Sequence, residues 1–130
     1  MKLRREIVFK AKRLDSEEWI EGFLTQGFSK ENHNELGYYI SFLNDDNFET
    51  HQIDPDTVCQ YTGFNDKYDK KIFESDVTHF AEYVAFENGC WKFIYESLTE
   101  PRMSALVADF NQMRAIVKNT KDEKNLSAKI

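Results

Sequence analysis

The stretch YVAFENGCWKFIYE, residues 83–96, carries the clearest structural signal in this sequence. Asn88 and Gly89 stand between two runs of alternating apolar and polar residues, and both residue types accept the positive φ angles of a type I′ turn. A two-residue loop of this kind sets Glu87 opposite Cys90 on the neighbouring strand. The stretch therefore predicts a β-hairpin and indicates a fold built from short strands.

The register of this hairpin sorts its side chains onto two faces. Phe86 stands opposite Trp91, and one face collects five apolar side chains, namely Val84, Phe86, Trp91, Phe93 and Tyr95. Burial of one side chain of this size stabilises a fold by roughly 1.5 to 3 kcal/mol. We therefore expect this face to lie in a core and not to form a binding surface.

The amino-acid composition indicates a folded, β-rich protein. The chain has 130 residues, of which 41% are hydrophobic and 15% aromatic, enough for one domain with a core. Eleven Phe, six Tyr and two Trp against three Met favour strands, because aromatic side chains suit a pleated, half-buried surface. We predict a single domain over residues 1–130. The alternative within it is two intimately packed β lobes, residues 1–52 and 53–130.

The N-terminal region predicts a second hairpin. Residues 5–13 alternate between apolar and polar side chains, which is typical of a half-buried strand. The sequence LDSEE then supplies a turn, and residues 18–24 form the partner strand. A helix that begins at Ser16 is the alternative, because Ser-Glu-Glu resembles an N-cap and a first turn. Gly22 and Gly27 disfavour that helix.

The remaining segments complete a meander. Residues 29–37 predict a loop, residues 38–44 an aromatic strand, and residues 44–50 a turn. After Pro101 the apolar spacing indicates a short helix near 103–111, followed by a last strand at 113–119 and a polar tail. The fold class is therefore mainly β, with small antiparallel, barrel-like sheets and little helix.

The central stretch IDPDTVCQYTGFNDKYDKKIFESDV, residues 53–77, predicts alternating strands and turns. Pro55 fixes φ in a turn, residues 57–61 form a strand, and Gly63 ends it. A polar loop leads to a strand over residues 71–74. A tight turn at Ser75-Asp76 then precedes an extended segment that reaches residue 80.

The order of residues in this stretch resembles the signature of the YopX family of phage and prophage proteins. Fifteen residues fall on that signature in register: Asp54, Pro55, Thr57, Val58, Gln60, Tyr61, Thr62, Gly63, Asp66, Lys67, Ile72, Phe73, Glu74, Asp76 and Val77. Similarity extends loosely to residues 5–24 and 115–126. The resemblance implies a mainly β, barrel-like architecture, self-association and a phage or prophage origin, but no assigned biochemical activity.

The chain departs from the family pattern at four glycine positions. Cys59 stands where the family pattern has a glycine, and Asp69 or Lys70 stands at a turn glycine. Ser75 replaces the glycine that precedes Asp76, and Lys118 replaces a glycine near the end of the pattern. Each change removes a residue that tolerates positive φ, so we expect reshaped loops on a retained fold. The motif residues, with their turns and half-buried strands, favour a structural role over a ligand site.

The charge distribution disfavours broad nucleic-acid binding. The net charge is −6. Residues 1–14 carry six Lys or Arg and one acidic residue, whereas residues 15–100 carry five Lys or Arg and nineteen acidic residues. An acidic middle repels a phosphate backbone. The simplest interpretation is that the basic ends neutralise the acidic middle within the fold or between subunits.

Common catalytic and metal-binding patterns are absent from the sequence. Cys59 is expected in a strand, acidic pairs such as Asp45-Asp46 are typical of solvated turns, and residues 65–69 lack a calcium loop's ligand spacing. The three histidines, His33, His51 and His79, lie far apart in the sequence. Their spacing does not place two metal ligands on one helix or strand. We therefore predict no metal, no cofactor and no catalytic residue, which favours a non-enzymatic protein.

The cellular location follows from the absence of export signals. Cys59 and Cys90 have no CxxC spacing, and the basic N-terminus is not followed by an apolar run of signal-peptide length. No window approaches the roughly 18 apolar residues that span a membrane. We expect the protein in the cytoplasm of the bacterial host cell, with no membrane partner.

Three functional hypotheses remain at this stage. The preferred one is a phage accessory protein that binds a host or phage protein as a homo-oligomer. The second is a small ligand-binding protein or enzyme with a pocket formed by Asp54, Asp66, Glu74, Asp76 and His79. The third is weak nucleic-acid binding through the basic N-terminal residues, Lys2, Arg4, Arg5, Lys10, Lys12 and Arg13.

Overall fold

The computed structural model describes residues 6–29, 35–95, 102–105 and 113–122, with the backbone alone for 102–105. The fold is mainly β, as the sequence predicts, and its strands pair antiparallel. The chain divides into two compact units, Met1–Gln60 and Tyr61–Ile130. Each unit is described separately below.

Unit 1 is an antiparallel sheet. Its strands are β1 (Phe9–Lys12), β2 (Trp19–Phe28), β3 (Leu36–Asn44), β4 (Asn47–Ile53) and the start of β5 (Cys59–Asn65), which crosses into unit 2. The spatial order is β4-β3-β2-β1-β5. A single 3₁₀ turn, Pro55–Thr57, connects β4 to β5.

The first hairpin is confirmed, with shifted bounds. The first strand spans only Phe9–Lys12, whereas its partner extends to Phe28, because the later part of β2 pairs with Leu36–Ser41 of β3. A helix from Ser16 is wrong. The predicted turn at 44–50 is also wrong, because the turn is only Asp45-Asp46 and β4 begins at Asn47.

One side of the unit 1 sheet forms a core. Cross-strand pairing places Ala11 opposite Ile20, Leu24 opposite Ile40 and Ile40 opposite His51. Because side chains alternate, the even-numbered residues of β2 and β3 share this side. The cluster contains Ala11, Ile40 and Ile53, packed against Phe9, Ile20, Leu24, Tyr38, Phe42 and Val58.

Unit 2 contains a five-stranded sheet and one further strand pair. The sheet has the order β10-β9-β8-β7-β11, and β6 pairs with the later part of β5. The strand bounds are β6 (Lys71–Phe73), β7 (Asp76–Thr78), β8 (Tyr83–Glu87), β9 (Cys90–Tyr95), β10 (Arg102–Ala105) and β11 (Ile116–Asn119). The core cluster is Ile72, Val84, Phe93 and Ile116, with Phe64 and Trp91 packed against it.

The hairpin at residues 83–96 has the predicted register, with Glu87 opposite Cys90. Its apolar face is buried only in the middle, at Val84 and Phe93. Phe86 is 54% exposed and Tyr95 39% exposed, so full burial of this face was a wrong expectation. The reason is geometric: the ends of the two strands extend past the core cluster.

The C-terminal region is more strand-rich than expected. Residues 102–105 form β10 against β9, so the helix predicted near 103–111 is wrong at its start, and residues 106–111 lie outside the described residues. The last strand is confirmed as β11. Of the polar tail, only residues 120–122 are described, and they form a turn. No closed barrel is found among the described strands, because the strand orders end at β4, β6, β10 and β11.

Gly22 gives a direct test of the close packing between β2 and β3. A Cβ atom at Gly22 would overlap the carbonyl oxygen of Ser41, whereas a Cβ at Gly27 meets only a Tyr39 ring carbon at 3.8 Å. We predict that Gly22→Ala lowers the free energy of unfolding by roughly 1 to 3 kcal/mol, the usual cost of overpacking. Urea denaturation measures it.

Gly27→Ala is the matched control, because it lies on the same strand without strain. We expect its free energy of unfolding to stay within about 0.5 kcal/mol of the wild type. Equal effects at the two positions would contradict the packing described here.

Candidate functional site

The central motif is divided between the two units. Asp54, Pro55, Thr57 and Gln60 belong to unit 1, and the rest belong to unit 2: Tyr61, Thr62, Gly63, Asp66, Lys67, Ile72, Phe73, Glu74 and Asp76. Most of these side chains hold turns and strands in place.

The unit 1 part of the motif is a hydrogen-bonded turn. Asp54 accepts the Asp56 backbone N–H at 3.0 Å through Oδ1 and thereby caps the 3₁₀ turn. The fully buried Thr57 hydroxyl donates to the Asp54 carbonyl oxygen at 2.7 Å and accepts the Lys12 backbone N–H at 2.8 Å. Thr57 therefore connects the turn to β1 through these hydrogen bonds.

A bulge in β5 corrects the prediction that Gly63 ends the strand. Tyr61 pairs with Phe73 and Asn65 with Lys71, which leaves an extra stretch of β5 between them. Gly63 lies in this stretch with φ of +91°. The bulge is held by Thr62, whose hydroxyl donates to the Ile72 carbonyl oxygen at 2.8 Å and accepts the Phe64 N–H at 3.2 Å.

Asp66 joins the loop after β5 to the last strand. Its Oδ1 accepts the backbone N–H groups of Tyr68 at 2.8 Å and Lys70 at 3.0 Å. Its Oδ2 accepts the N–H of Ile116 at 2.9 Å, fifty residues along the chain. The residue is only 1% exposed. A buried carboxylate with these three donors supports the fold and has its oxygens directed at the backbone.

The environment of Asp66 favours the ionised form. Burial opposes ionisation and would raise the pKa of the carboxyl. The backbone hydrogen bonds from Ile116, Lys70 and Tyr68, together with the Lys70 charge, outweigh it, so the pKa lies below its usual value of 3.8.

Asp76 forms a second buried junction. Its Oδ2 accepts the Phe73 N–H at 2.7 Å, and its Oδ1 accepts the Asn119 side-chain amide at 2.8 Å. The same amide group donates to the Glu74 carbonyl oxygen at 3.1 Å. This junction connects the β6–β7 turn to β11, at the opposite end of that strand from Ile116.

The glycine departures do not remove the turn conformations. Asp69 has φ of 62° and Ser75 has φ of 71°, so both occupy the left-handed region that glycine favours. The left-handed conformation is therefore present at these two turns without glycine, and the expected reshaping of the loops stays a prediction. The surrounding hydrogen bonds impose the conformation, since the Asp69 N–H donates to Asp66 and the Ser75 N–H to Val84.

An ion pair in unit 2 was missed by the sequence analysis. The Arg114 guanidinium donates to both carboxylate oxygens of Glu82, at 2.6 and 2.8 Å, and lies 4.3 Å from the Phe93 ring centre. Burial raises the pKa of Glu82, but the hydrogen bonds from Arg114 and Thr78 outweigh it and lower the pKa. The two partners are thirty-two residues apart, so no local pattern indicates the pair.

One cleft in unit 2 is lined by residues other than the acids of the motif. A cleft of about 400 Å³ is lined by Val77, Ala81, Tyr83, Lys118, Asn119, Thr120 and Asp122. Asp66, Glu74, Asp76 and His79 are not among these lining residues. His79 is exposed, and its Nδ1 accepts the Ala115 N–H at 3.1 Å. In the described parts of the chain, no three His, Cys, Asp or Glu residues form a group that could hold a metal.

Within the described residues, the basic side chains near the N-terminus are Lys10, Lys12 and Arg13, and each lies close to another side chain of unit 1. The ammonium groups of Lys10 and Lys12 lie 4.6 and 5.5 Å from the Trp19 ring centre. Arg13 forms an ion pair with Asp15 at 2.7 Å. Lys2, Arg4 and Arg5 lie outside the described residues.

Three exposed apolar side chains lie on the other side of the unit 1 sheet, in the part near the β3–β4 turn. Leu43 lies opposite Phe48, and Phe23 lies opposite Ser41, two residues from Leu43 on the same side of β3. Phe23 is 58% exposed, Leu43 70% and Phe48 61%. We call this side of the sheet the outer face; it also carries Lys10, Lys12 and Trp19. The sequence analysis missed it because the strand register is needed to bring these residues together.

Comparison with known families identifies the chain. The model of the YopX protein family matches residues 8–122, nearly the full length. The chain belongs to the YopX family. Its central motif therefore lies within the family domain, as the resemblance of residues 53–77 indicates. A search of curated proteins finds no match.

In the described portion of this YopX chain, no helix has the length and apolar character needed to cross a membrane.

Asp66 provides the test of the structural role of the motif. We predict that Asp66→Asn lowers the free energy of unfolding by roughly 1 to 3 kcal/mol at pH 7, because an amide group faces N–H donors in the place of a carboxylate oxygen. Because the pKa of Asp66 is lower in the folded state than in the unfolded state, its ionisation stabilises the fold at pH values above the unfolded-state pKa, near 3.9. This stabilisation is lost as the pH falls through the folded-state pKa. The difference between wild type and variant therefore shrinks below about pH 4.

Asp69→Asn is the matched control on the same loop, because Asp69 is exposed and accepts one side-chain hydrogen bond from Asn65. Urea denaturation from pH 2.5 to 7 measures both variants. An Asp66→Asn protein with wild-type stability across this range would contradict the role of Asp66.

Proposed function

We propose that this YopX-family protein is a phage or prophage accessory protein that acts without catalysis, by binding protein chains as a homo-oligomer. The observation that carries the proposal is the outer face, where Phe23, Leu43 and Phe48 are each more than half exposed. Contiguous exposed apolar side chains on a sheet are characteristic of protein-binding surfaces.

The rim of the outer face suits a protein partner. The turn at the end of β3 and β4 carries Asp45 and Asp46, which are both exposed. Protein interfaces combine an apolar centre with a polar, charged rim, and the rim charges select the partner. A host or phage protein with an apolar surface and basic groups around it fits this arrangement.

The contacts of the buried acids support a non-enzymatic role. Catalytic acids need a substrate within hydrogen-bond reach of their carboxyl oxygens. Asp66 directs its oxygens to three backbone N–H groups, and Asp76 directs its oxygens to Phe73 and Asn119. These contacts account for the presence of acids in the motif without a chemical step.

The biological setting is proposed from the family and from the cysteines. The family resemblance supports a phage or prophage origin as part of the proposal. Among the described residues, Cys59, which is buried, and Cys90, which is exposed, form no disulfide, which suits the reducing cytoplasm of a bacterial host.

A small-ligand site is the second candidate function. The cleft of about 400 Å³ beside β7 and β11 lies in the size range of ligand pockets, roughly 300 to 1,000 Å³. Its lining includes Lys118 and Asp122, which would suit a polar ligand. Nucleic-acid binding through the N-terminal residues stays a prediction, for which steep salt dependence is the test.

We predict that replacing Phe23, Leu43 and Phe48 together by Thr reduces self-association at least tenfold, because the apolar centre of the interface is lost while β-propensity is retained. Sedimentation equilibrium of the purified chain measures the association constant. The same variant should lose specific partners recovered by the tagged wild-type protein from a nuclease-treated host lysate.

The matched control replaces Phe28 and Leu36, an exposed apolar pair on the other side of the same sheet, by Thr. We expect this variant to associate as the wild type does. A wild-type chain that is monomeric at every concentration, and that recovers no partner, would contradict the proposed function.

A further inference from the structure

We propose that the edge of β4 that faces away from β3, here called the β4 edge, binds an extended segment of another protein. The segment adds an antiparallel strand to the unit 1 sheet and alternates apolar side chains with Lys or Arg. The inference rests on the proposed protein binding and names the surface, the binding mode and the class of partner segment. It follows from the direction of the backbone groups of β4 and from the charge around them.

The register of the β3–β4 hairpin sets the direction of these backbone groups. The two-residue turn at 45–46 makes Asn44 and Asn47 a hydrogen-bonded pair. Because hydrogen-bonded and non-hydrogen-bonded pairs alternate in an antiparallel ladder, the even-numbered residues of β4 direct their N–H and C=O groups away from β3. These residues are Phe48, Thr50 and Gln52.

The last part of the β4 edge is covered, whereas the first part is open. The Leu14 N–H donates to the Gln52 carbonyl oxygen at 3.1 Å, and Arg13 forms an isolated bridge with the last residue of β4. Within the described residues, no backbone group donates to or accepts from the outward groups of Phe48 and Thr50. Each of these two residues therefore offers one donor and one acceptor to a further strand.

The β4 edge lacks the usual protection against pairing with another chain. Proteins commonly protect an exposed strand edge with lysine, proline or a β-bulge. The sequence of β4, NFETHQI, contains neither lysine nor proline, and its pairing with β3 runs without a register shift. A regular, open edge of this kind is the surface to which an extended peptide adds a strand.

The charge around the β4 edge is acidic. Residues 44–56 comprise β4 and the turns on either side of it, and they contain five acidic residues and no Lys or Arg. Residues 13–18, which meet the end of β4, add three acidic residues and one Arg. This charge repels a second acidic edge, so it disfavours edge-to-edge pairing of two copies of this chain. It attracts a segment that carries Lys or Arg.

The two sides of β4 select the side chains of the partner segment. On the outer face, the edge presents Phe48 beside Leu43, and both side chains are exposed. On the other side it presents Glu49, whose pKa is lowered by the side-chain hydrogen bonds from Asn44 and His51. Because side chains alternate along a strand, the segment places apolar side chains beside Phe48 and Lys or Arg beside Glu49.

A blocked synthetic peptide of alternating Lys and Val tests the binding mode by isothermal titration calorimetry. A Val opposite Phe48 directs its N–H toward β4, whereas the N–H of each Lys points to solvent. We expect N-methylation of the Val residues to weaken binding at least tenfold, because the ladder hydrogen bonds are lost while the side chains are kept. N-methylation of the Lys residues is the control and should leave the affinity unchanged.

A peptide of alternating Glu and Val tests the charge of the partner segment. It can form the same backbone hydrogen bonds, but its side chains carry the sign of the acidic residues around the β4 edge. We expect it to bind at least tenfold more weakly than the Lys-Val peptide at low salt. Equal affinities for the two peptides would overturn the proposed class of partner.

Thr50→Pro and Thr50→Val form a matched pair of variants on the protein side. Both lose the hydrogen bond between the Thr50 and Ser41 hydroxyl groups. Proline also removes the outward N–H, which the pairing with β3 does not use, and proline is tolerated in edge strands for this reason. We expect Thr50→Pro to bind the Lys-Val peptide at least tenfold more weakly than Thr50→Val. Circular dichroism spectra and thermal unfolding establish that both variants are folded.

The outcomes separate this inference from the proposed function. Selective loss of binding on N-methylation of Val supports strand addition to the β4 edge. Equal affinities for the two methylated peptides would overturn strand addition, and so would failure of the unmethylated Lys-Val peptide to bind the wild-type protein. In either case the proposed function would stand with partners bound on the outer face, which recovery from the host lysate measures separately.

Discussion

The buried carboxylate of Asp66 imposes the constraint on which unit 2 depends. An ionised acid that is 1% exposed must have hydrogen-bond donors, and Asp66 obtains them from its own loop and from β11, fifty residues later. Asp76 does the same through Phe73 and Asn119 at the other end of β11. These two junctions attach the last strand to the central motif, so the motif residues act first as organisers of the fold.

The function that we propose therefore belongs to surface residues of unit 1 and not to the buried acids of the central motif. With Asp66 and Asp76 bound to the backbone and to Asn119, the motif offers few oxygens for a substrate. The outer face of unit 1 offers the exposed apolar side chains of Phe23, Leu43 and Phe48. Stability therefore depends on the buried acids, whereas the binding that we propose would use the strands that precede them in the chain.

Local signals in the sequence predicted the elements that depend on local physics. The Asn88-Gly89 turn fixed the hairpin register, and the alternation of residues 5–13 indicated β1. Non-local contacts decided the rest. The segment at 102–105 is a strand because it pairs with β9, although its apolar spacing suits a helix. Ser75 keeps a glycine-like φ because neighbouring strands hold its backbone.

The site was predicted less completely than the fold, because the exposure of a side chain depends on the strand register.

The most direct test of the account compares backbone amide NMR shifts of dilute and concentrated protein. We expect changes at Phe23, Leu43, Phe48 and the Asp45-Asp46 turn, and constant shifts from Asp66 to Asp76. Changes concentrated between Asp66 and Asp76, with a constant outer face, would contradict the division between a structural motif and a binding face.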